Sequence, residues 1–211
     1  MTTDFDQRAA TWDDDPIKAA RAHAVADAIR REVPFRPGMR ALEYGCGTGL
    51  LGFALAPFPG ELTLADASAG MLEVLRGKID AIGARDMSAV KLDLLAGAPP
   101  AARFDRYDRY DLVCLLMVLH HIPDTDGILR KFHAILAPGG HLCIGDLDPE
   151  GGAFHGPGFD GHNGFDREVL AAKARAAGFA NVRFTTAYEN PRKVGGAMRV
   201  FPVFLMVADR P

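Results

Sequence analysis

Three glycines at alternate positions follow a short apolar run and an acidic residue in the segment Ala41–Leu50. Glycine has no Cβ, so Gly45, Gly47 and Gly49 permit turns and a close approach of the backbone to a ligand. A loop of this kind between a strand and a helix presents backbone N–H groups at the positive end of the helix. The pattern therefore predicts a site that holds a small nucleotide-like molecule against the main chain.

A second set of chemically capable residues follows the nearly continuous apolar run Tyr110–Leu119. His120 and His121 come directly after it, and histidine has an unperturbed pKa suited to a general base. Further polar side chains fall in or beside a connection rich in Gly, Pro, His and Phe, namely Asp146, Asp148, His155, Asp160 and His162. Their spacing does not match a tight metal-ligand pattern, so we expect residues 146–164 to form an active-site lid loop and predict no metal site.

Strands and helices alternate along the chain, and these elements would position both sets of residues. The predicted strands are Arg40–Tyr44, Glu61–Ala65, Ala89–Leu92, Tyr110–Leu119 and His141–Gly145. The predicted helices begin at Asp15-Pro16, Gly49, Ser68 and Gly164, with one more around Ile128–Leu136. Asn181–Tyr188 and Phe201–Asp209, joined by Gly195-Gly196, are predicted to pair as antiparallel strands at one sheet edge. The repeated alternation indicates a parallel sheet with helices on both faces.

The order of these motifs resembles the class I S-adenosylmethionine-dependent methyltransferases, above all the small-molecule branch that includes quinone-biosynthesis methyltransferases. The resemblance covers about residues 40–178 and is carried by Glu43-x-Gly45-x-Gly47-x-Gly49 together with four later segments. These segments are Leu62–Ser68 with Met71-Leu72, Lys91–Asp93, Tyr110–Asp124 and Leu136–Leu142. The resemblance implies a Rossmann-like three-layer α/β/α sandwich whose seven-stranded sheet has the order 3-2-1-4-5-7-6, with strand 7 antiparallel. It also implies one methyltransferase domain over 1–211, in which residues 1–36 form an N-terminal helical cap segment.

The resemblance further implies S-adenosyl-L-methionine as the cofactor. The three glycines would let the backbone approach its amino-acid end, and Glu43 would hold its ammonium group, either directly or through water or else in a structural role. Asp66, about twenty residues beyond the first glycine, would accept both ribose hydroxyls. Asp93 would accept the adenine amino group. The other residues assigned to the cofactor are Cys46, Ala67, Met71, Leu92, Leu94 and Trp12.

Methyl transfer from a sulfonium is an in-line displacement, in which the protein chiefly supplies alignment and excludes water. His121 and His120 would follow strand four beside the methyl group, and a base is needed only if the acceptor arrives protonated. One of the two could instead fix the loop. Phe5 and Trp12 could shield the sulfonium. Aromatic residues of the 146–164 loop could cover an apolar substrate or attach the loop to the core; they are Phe154, Phe159 and Phe165.

The composition narrows the function classes. The 211 residues carry a net charge of −3 and 48% hydrophobic residues, which suits one globular domain and argues against a nucleic-acid footprint. The sequence contains no run of about eighteen apolar residues, so a membrane span is not predicted. The first residues also lack an export signal, and we therefore expect a cytoplasmic protein. Cys46, Cys114 and Cys143 are far apart and predict free buried thiols. The expected partner is a small-molecule methyl acceptor, and the chain could be a monomer or a homodimer.

Two alternatives remain open at this stage. Gly47-Thr48-Gly49-Leu50-Leu51-Gly52 matches Gly-x-Gly-x-x-Gly, which would suit an NAD(P)-dependent oxidoreductase, but the acid before the glycines and the turn Pro138–Gly140 are then unexplained. A non-catalytic S-adenosylmethionine-binding protein would show the same cofactor signature. A nucleic-acid amino-methyltransferase is disfavoured, because Leu116–Leu119 replaces the Asn/Asp-Pro-Pro-aromatic motif expected after strand four. The sequence favours an S-adenosylmethionine-dependent methyltransferase that acts on an unidentified small molecule.

Overall fold

A computed structural model describes residues 4–56, 60–95 and 110–211. Its strands are β1 (Arg40–Tyr44), β2 (Glu61–Asp66), β3 (Met87–Lys91), β4 (Tyr110–Leu116), β5 (Leu136–Leu147), β6 (Ala180–Val194) and β7 (Ala197–Asp209). Its helices are α1 (Asp4–Arg8), α2 (Pro16–Glu32), α3 (Leu50–Leu55), α4 (Ala69–Ile82), α5 (Thr125–Ile135) and α6 (Arg167–Ala176). Two 3-10 turns cover Ala9–Asp14 and Leu119–His121.

The strands form one seven-stranded sheet of order β3-β2-β1-β4-β5-β7-β6, as predicted. The strands from β1 to β5 pair in parallel, whereas β7 is antiparallel to both β5 and β6. β1 pairs with β2 on one side and with β4 on the other, so the chain changes direction across the sheet at β1. In an open α/β sheet, the carboxyl ends of the strands at this switch point are where ligands bind.

Alternate side chains of β4 enter two apolar layers, one on each face of the sheet. Leu112 and Cys114 pack in one layer and Val113 and Leu115 in the other, in keeping with the two-residue repeat of a strand. Helices α2, α3 and α4 cover the first layer, while α5 and α6 cover the second; the helix residues include Val25, Ile29, Leu51, Leu75, Ile128, Phe132 and Leu170. Burial on both faces explains why β4 is nearly continuously apolar in sequence.

Short polar side chains begin the helices where the sequence predicted them. The Asp15 carboxylate accepts a hydrogen bond from the Ile17 N–H, and Pro16 occupies the first helical position of α2. Ser68 caps α4 and Asp166 caps α6 in the same way. Each cap satisfies a backbone donor that has no partner within the helix, and the Ser68 cap directs α4 away from the carboxyl end of β2.

Several predicted bounds are wrong. β4 ends at Leu116 rather than at residue 119, because the chain turns at Met117, which has a positive φ of 57°. β5 begins at Leu136, directly after α5, and continues through Leu147, so the first residues of the predicted loop belong to the strand.

Other corrections concern β3 and the C-terminal third of the chain. β3 covers Met87–Lys91 rather than Ala89–Leu92. β6 and β7 are longer than predicted because their antiparallel register continues to Val194 and Ala197, beside the Gly195-Gly196 turn. Helix α6 begins at Arg167, after Gly164 has taken a positive φ.

Two further sequence-based expectations concern the thiols and the membrane. Cys46, Cys114 and Cys143 are all buried and free, as predicted. Among the described residues, no helix combines the length and the apolar character needed to cross a bilayer.

Candidate functional site

The glycine loop between β1 and α3 is bound to the end of the neighbouring strand. The N–H groups of Gly45 and Cys46 both donate to the carbonyl of Ala65 in β2, at 2.7 and 3.0 Å. The Gly49 N–H closes the loop on the carbonyl of Cys46 at 2.8 Å. These bonds hold the loop at the carboxyl end of the parallel strands, next to the start of α3.

Each of the three predicted glycines adopts a positive φ, from 54° to 86°. A Cβ at Gly45 would lie 2.5 Å from a methyl group of Val118, and one at Gly49 would lie 2.7 Å from Leu75 Cδ1, so packing excludes a side chain at both. At Gly47 a Cβ would meet only Trp12 Nε1 at 3.7 Å and Met71 Sδ at 3.9 Å. The space in front of Gly47 is therefore bounded by two of the other residues that the sequence assigned to the cofactor.

The carboxylate of Asp66, at the end of β2, holds the loop in place. One oxygen accepts from the Gly47 N–H at 2.7 Å and the other accepts from the Ser68 N–H at 2.8 Å. Burial raises the pKa of Asp66, and these N–H donors oppose that rise. The Ala67 N–H is a third backbone donor to this carboxylate. An ionised carboxylate has about four acceptor positions, so about one remains for a hydroxyl donor. The exposed Ala67 follows directly.

The residues predicted beside an adenine ring lie around the end of β3. Leu92 and Leu94 are buried, and the Leu94 N–H donates to the hydroxyl of Tyr44 at 3.2 Å. Asp93 is exposed and accepts a bond from the Leu95 N–H, and its carboxylate also bonds the Tyr44 hydroxyl. Burial raises the pKa of Tyr44 to about 12. Tyr44 thus connects the end of β1 to the loop after β3.

Glu43 and Cys46 lie on the core side of the glycine loop. The Glu43 carboxyl group faces the start of α3, where it accepts from the Gly52 N–H, and burial raises its pKa to about 8. Its Oε2 atom is buried with no hydrogen-bond partner. This placement favours the water-mediated or structural role of Glu43 over direct contact. The Cys46 thiol is also buried, and burial raises its pKa.

The N-terminal segment crosses over the loop and is fixed at both ends. Asp6 accepts from the Ser68 hydroxyl at 2.5 Å and from the Gly70 N–H at 2.9 Å. Asp13 accepts from the Thr48 hydroxyl at 2.5 Å and from Lys78 Nζ at 2.9 Å. These bonds join residues about 35 to 65 positions apart, so no local sequence pattern predicts them.

Aromatic rings of this segment connect the glycine loop to the histidine pair. The Phe5 ring lies 5.9 Å from the Trp12 ring and 5.3 Å from the His121 ring, both edge to face. Lys18 Nζ lies 3.8 Å from the Trp12 ring centroid and donates to the Trp12 carbonyl. A continuous row from Gly47 through Trp12 and Phe5 to His121 thus borders the site.

His120 is buried and bound to the end of β5. Its Nδ1 lies 2.7 Å from Asp146 Oδ1, and its backbone N–H donates to Asp146 Oδ2 at 3.1 Å. Asp146 is fully buried and also accepts from the Leu147 N–H. Because a carboxylate accepts, the geometry places the proton of His120 on Nδ1 and leaves Nε2 with its lone pair. One member of the histidine pair thus fixes the turn after β4.

His121 and His155 complete a cluster of three imidazoles. The His120 ring lies 4.2 Å from that of His121 and 4.7 Å from that of His155. Phe159 stacks on His155 with centroids 3.9 Å apart and the planes 14° from parallel. Partial desolvation of the rings and the neighbouring histidines lower the pKa of both His121 and His155 to about 4.

The rest of the 146–164 loop is attached to the scaffold. His162 donates its backbone N–H to the His120 carbonyl at 2.8 Å, and its Nε2 lies 3.0 Å from the Ile122 carbonyl. Asp148 forms a bidentate pair with Arg167, at 2.7 and 2.8 Å. Asp160 is exposed. Phe154 and Phe165 are buried. Phe154 lies edge-on to His155, with ring centroids 4.9 Å apart, whereas Phe159 lies near all three histidine rings.

Met117 connects β4 to this cluster in an uncommon backbone conformation. It is one of two non-glycine residues with positive φ in the described part of the chain, and its N–H donates to the Gly145 carbonyl at 2.8 Å. Such strain costs about 1–3 kcal/mol and persists only where the surroundings determine it. The turn directs Val118 towards Gly45 and brings His120 and His121 to the carboxyl end of the sheet.

Comparisons with known proteins identify a methyltransferase domain in this chain. A family model described as a methyltransferase domain matches residues 42–142. An uncharacterised methyltransferase of Schizosaccharomyces pombe is 31% identical over 128 residues, which cover 57% of this chain and 43% of the relative. A ubiquinone biosynthesis O-methyltransferase of Xanthomonas campestris is 32% identical over 119 residues, which cover 56% of this chain and 47% of the relative. The chain spans about half the length of the curated relatives that it matches.

Solved structures share the fold. The chain seen in complex with the Trm112 methyltransferase activator of Haloferax volcanii superposes with a TM-score of 0.76 at 18% identity, covering 100% of this chain and 99% of that one. A second structure is the phosphoethanolamine N-methyltransferase 2 of Haemonchus contortus with phosphomonomethylethanolamine and S-adenosylhomocysteine bound. It superposes with a TM-score of 0.68 at 17% identity. It covers 88% of this chain and 52% of that one.

Residues 42–142 thus match a methyltransferase domain, and the whole chain shares the fold of the solved structures named above. The residues present fit S-adenosylmethionine, the cofactor that the sequence resemblance implies. The Asp66 carboxylate keeps some acceptor capacity for a ribose, and the open face of Gly47 leaves backbone accessible to a ligand. The NAD(P) alternative relied on Gly52, whose lack of a Cβ is explained by packing, since a Cβ there would lie 2.3 Å from Leu64.

Proposed function

We propose that this chain transfers the methyl group of S-adenosylmethionine to a small molecule bound between the glycine loop, the His120–His121 turn and the 146–164 loop. The observation that carries the proposal is the aromatic row from Trp12 through Phe5 to His121. Through Phe5 and Trp12, the N-terminal segment borders both the glycine loop and the histidine pair. A cofactor on one side and an acceptor on the other would share a water-poor space. In-line transfer needs that arrangement.

The cofactor lies, in this proposal, along the carboxyl ends of β1, β2 and β3. Asp66 accepts the ribose hydroxyls, while the backbone of Gly45 and Gly47 approaches the amino-acid end. Ala67 and Leu92 contact the adenine faces, and Asp93 accepts its amino group. Further contacts come from residues that surround these groups, namely Cys46, Gly49, Met71, Leu94 and Trp12, with Glu43 acting from behind the loop.

The acceptor lies beside His121, the member of the histidine pair that is not buried. In the transfer step, a lone pair of the acceptor forms a bond to the methyl carbon while the sulfur–methyl bond breaks and its electron pair returns to sulfur. The products are the methylated acceptor and S-adenosylhomocysteine. An acceptor that carries a proton must also lose it. His121 and His120 are the candidate bases that would assist this loss.

Two arginines lie on the acceptor side, where Asp15 and Asp146 partly balance the charge of Arg21. Arg21 Nη1 donates to Asn190 Oδ1 at 2.7 Å, and its Nε is buried with no hydrogen-bond partner. Arg192 lies 4.5 Å from the Phe154 ring, within electrostatic range of both Arg21 and His155. An acidic acceptor would compensate these charges, so we propose a small molecule with a carboxylate or similar anionic group.

The test has two stages. Calorimetric titration with S-adenosylhomocysteine and, separately, with NAD measures which cofactor binds; micromolar binding of the first alone supports the proposal. Turnover is then measured by mass spectrometry with an acceptor library that contains matched carboxylic acids and their esters. Methylation of the acids, weakened by Arg21→Met, supports the acceptor class. Tight cofactor binding with no methylated product from any acceptor would favour a non-catalytic binding protein instead.

A further inference from the structure

Three imidazoles from two separate segments converge on one point at the carboxyl end of the sheet. One ligand nitrogen from each of His120, His121 and His155 lies within 4.8 Å of the other two. His120 and His121 belong to the 3-10 turn after β4, whereas His155 comes from the 146–164 loop. Neutral imidazole is the commonest protein ligand of transition metals.

Asp146 supplies the supporting interaction that metal-bound histidines require. Its carboxylate accepts from His120 Nδ1 at 2.7 Å and from two backbone N–H groups, of His120 and Leu147. A carboxylate in this position fixes the tautomer and the orientation of the ring, so that Nε2 is the atom presented to a ligand. Both side chains are buried, so the first ligand of the cluster is already held in one orientation.

His155 provides an independent observation. Its Nδ1 is buried, and no donor or acceptor of the described chain bonds to it. The ring is nevertheless held, since Phe159 stacks against it at 3.9 Å. A buried polar atom without a partner costs free energy unless something binds it, and a metal ion would satisfy a nitrogen lone pair here.

We propose that His120, His121 and His155 bind one divalent first-row transition-metal ion, with zinc as the reference ion, and leave a fourth coordination position open. Three histidines with an open position form a catalytic zinc site, in which ligand nitrogens about 2.1 Å from the metal lie about 3.4 Å apart. The present separations are within 4.8 Å. His121 lies at the surface and can turn about its side-chain bonds to close the remaining distance.

The open position would receive the acceptor, and this part of the inference rests on the proposed function. With the ion bound, the imidazoles act as its ligands and not as bases, and the ion itself promotes the loss of the proton. A hydroxyl or thiol bound to the ion loses its proton to solvent more readily, because the positive charge stabilises the resulting anion. That anion then attacks the methyl carbon as described above. The metal is neither oxidised nor reduced, so the step needs no further reactant.

Metal binding is tested on the full chain without cofactor or acceptor. The chelator-treated protein is titrated with zinc against a chromophoric chelator, and with cobalt by visible absorption, which reports tetrahedral coordination. We expect one ion per chain and a loss of affinity of at least about tenfold in His155→Ala and in His121→Ala. His23→Ala, a change on the exposed face of α2, serves as the matched control and should bind as the unaltered chain does.

Asp146→Asn tests the supporting carboxylate, and circular dichroism confirms that the variant folds. A loss of about 10- to 100-fold in zinc affinity with retained fold supports the site. Zinc binding that His155→Ala and His121→Ala leave unchanged, or no binding at all, overturns it. These outcomes are separate from the proposed function, because S-adenosylhomocysteine binding is measured independently: either result can fail while the other stands.

Discussion

The two halves of the site are built in different ways. The cofactor half is made largely of main chain, because the Gly45 and Cys46 N–H groups bind the Ala65 carbonyl and the Asp66 carboxylate binds the Gly47 N–H. The acceptor half is made of side chains that come from three separate segments: the turn after β4, the end of β5 and the 146–164 loop. The first half is thus a local motif, whereas the second exists only after the sheet has formed.

The difference separates a backbone feature that many chains could share from side chains that are specific to this one. A backbone cradle can hold the same cofactor in many proteins, since its geometry depends on glycine rather than on particular side chains. The acceptor half depends on the identities of His121, His155 and Phe159, and it would define which molecule is methylated. Variants in the two halves should therefore affect different measurements.

The largest effect is expected in the acceptor half. His121→Ala removes a ring beside the acceptor without touching the glycine loop, so turnover should fall by about 100-fold while the Kd for S-adenosylhomocysteine stays within about twofold. Stopped assays for turnover and calorimetry for binding measure the two quantities. A parallel fall in both, or normal turnover, would contradict the separation of the two halves.

Asp66→Ala should show the reverse pattern. It removes the acceptor of the Gly47 N–H bond and leaves the ribose hydroxyls unpaired, which should cost about 2 kcal/mol, or roughly 30-fold in cofactor affinity. Calorimetric titration with S-adenosylhomocysteine measures the loss. Asp93→Ala, at the exposed adenine side, is the companion variant with a smaller expected loss. Equal affinity in Asp66→Ala and the unaltered chain would place the cofactor elsewhere.

Gly45→Ala tests whether packing joins the two halves. The new Cβ would lie 2.5 Å from a Val118 methyl group, in the segment that carries the histidine pair. Gly139→Ala is the matched control, because Gly139 has nearly the same φ, 76° against 71°, with nothing within 4 Å of its Cβ position. The free energy of unfolding should fall by about 1–2 kcal/mol more in Gly45→Ala than in the control.

A second substitution makes this test stricter. Val118→Ala combined with Gly45→Ala removes the methyl groups that the new Cβ would meet, so the double variant should regain part of the lost stability. Chemical denaturation measures the stability of the unaltered chain, of Gly45→Ala, of Val118→Ala and of the double variant. Additive losses in the double variant would mean that the glycine is needed for its backbone conformation alone.

The smallest effect is expected from the segment that covers both halves. Phe5→Ala removes the ring that lies between Trp12 and His121, and it should weaken S-adenosylhomocysteine binding by about fivefold and lower turnover by a similar factor. Both measurements should change together, unlike those of His121→Ala and Asp66→Ala. A change confined to one of them would assign Phe5 to that half only.

Much of the local structure around the glycine loop could be predicted because its signals are local. The glycine spacing, the acid that ends β2 and the caps Asp15, Ser68 and Asp166 each act within a few residues of themselves, and the strand order followed from the family resemblance. Glu43 shows the limit of such signals. Its position in the motif was clear, but the direction of its side chain, towards Gly52 in the core, depends on how α3 packs.

The acceptor half could not be predicted to the same extent. His155 lies 34 residues beyond His121 in the sequence, and only the path of the 146–164 loop brings the two together. The expectation of no metal-ligand pattern came from spacing along the chain, which does not report distances across a fold. Asp6 and Asp13 illustrate the same point, since their partners Ser68 and Thr48 are distant in sequence.

The order of residues along this chain was enough to predict its seven-stranded fold and the glycine loop at the end of β1, because hydrophobic periodicity, glycine and capping residues act over short range. Tertiary folding alone decided that three imidazoles, a buried carboxylate and a phenylalanine ring would meet beside that loop. The physical reason is that side-chain chemistry between distant segments depends on packing geometry, and packing is set by the whole sheet and its helices together.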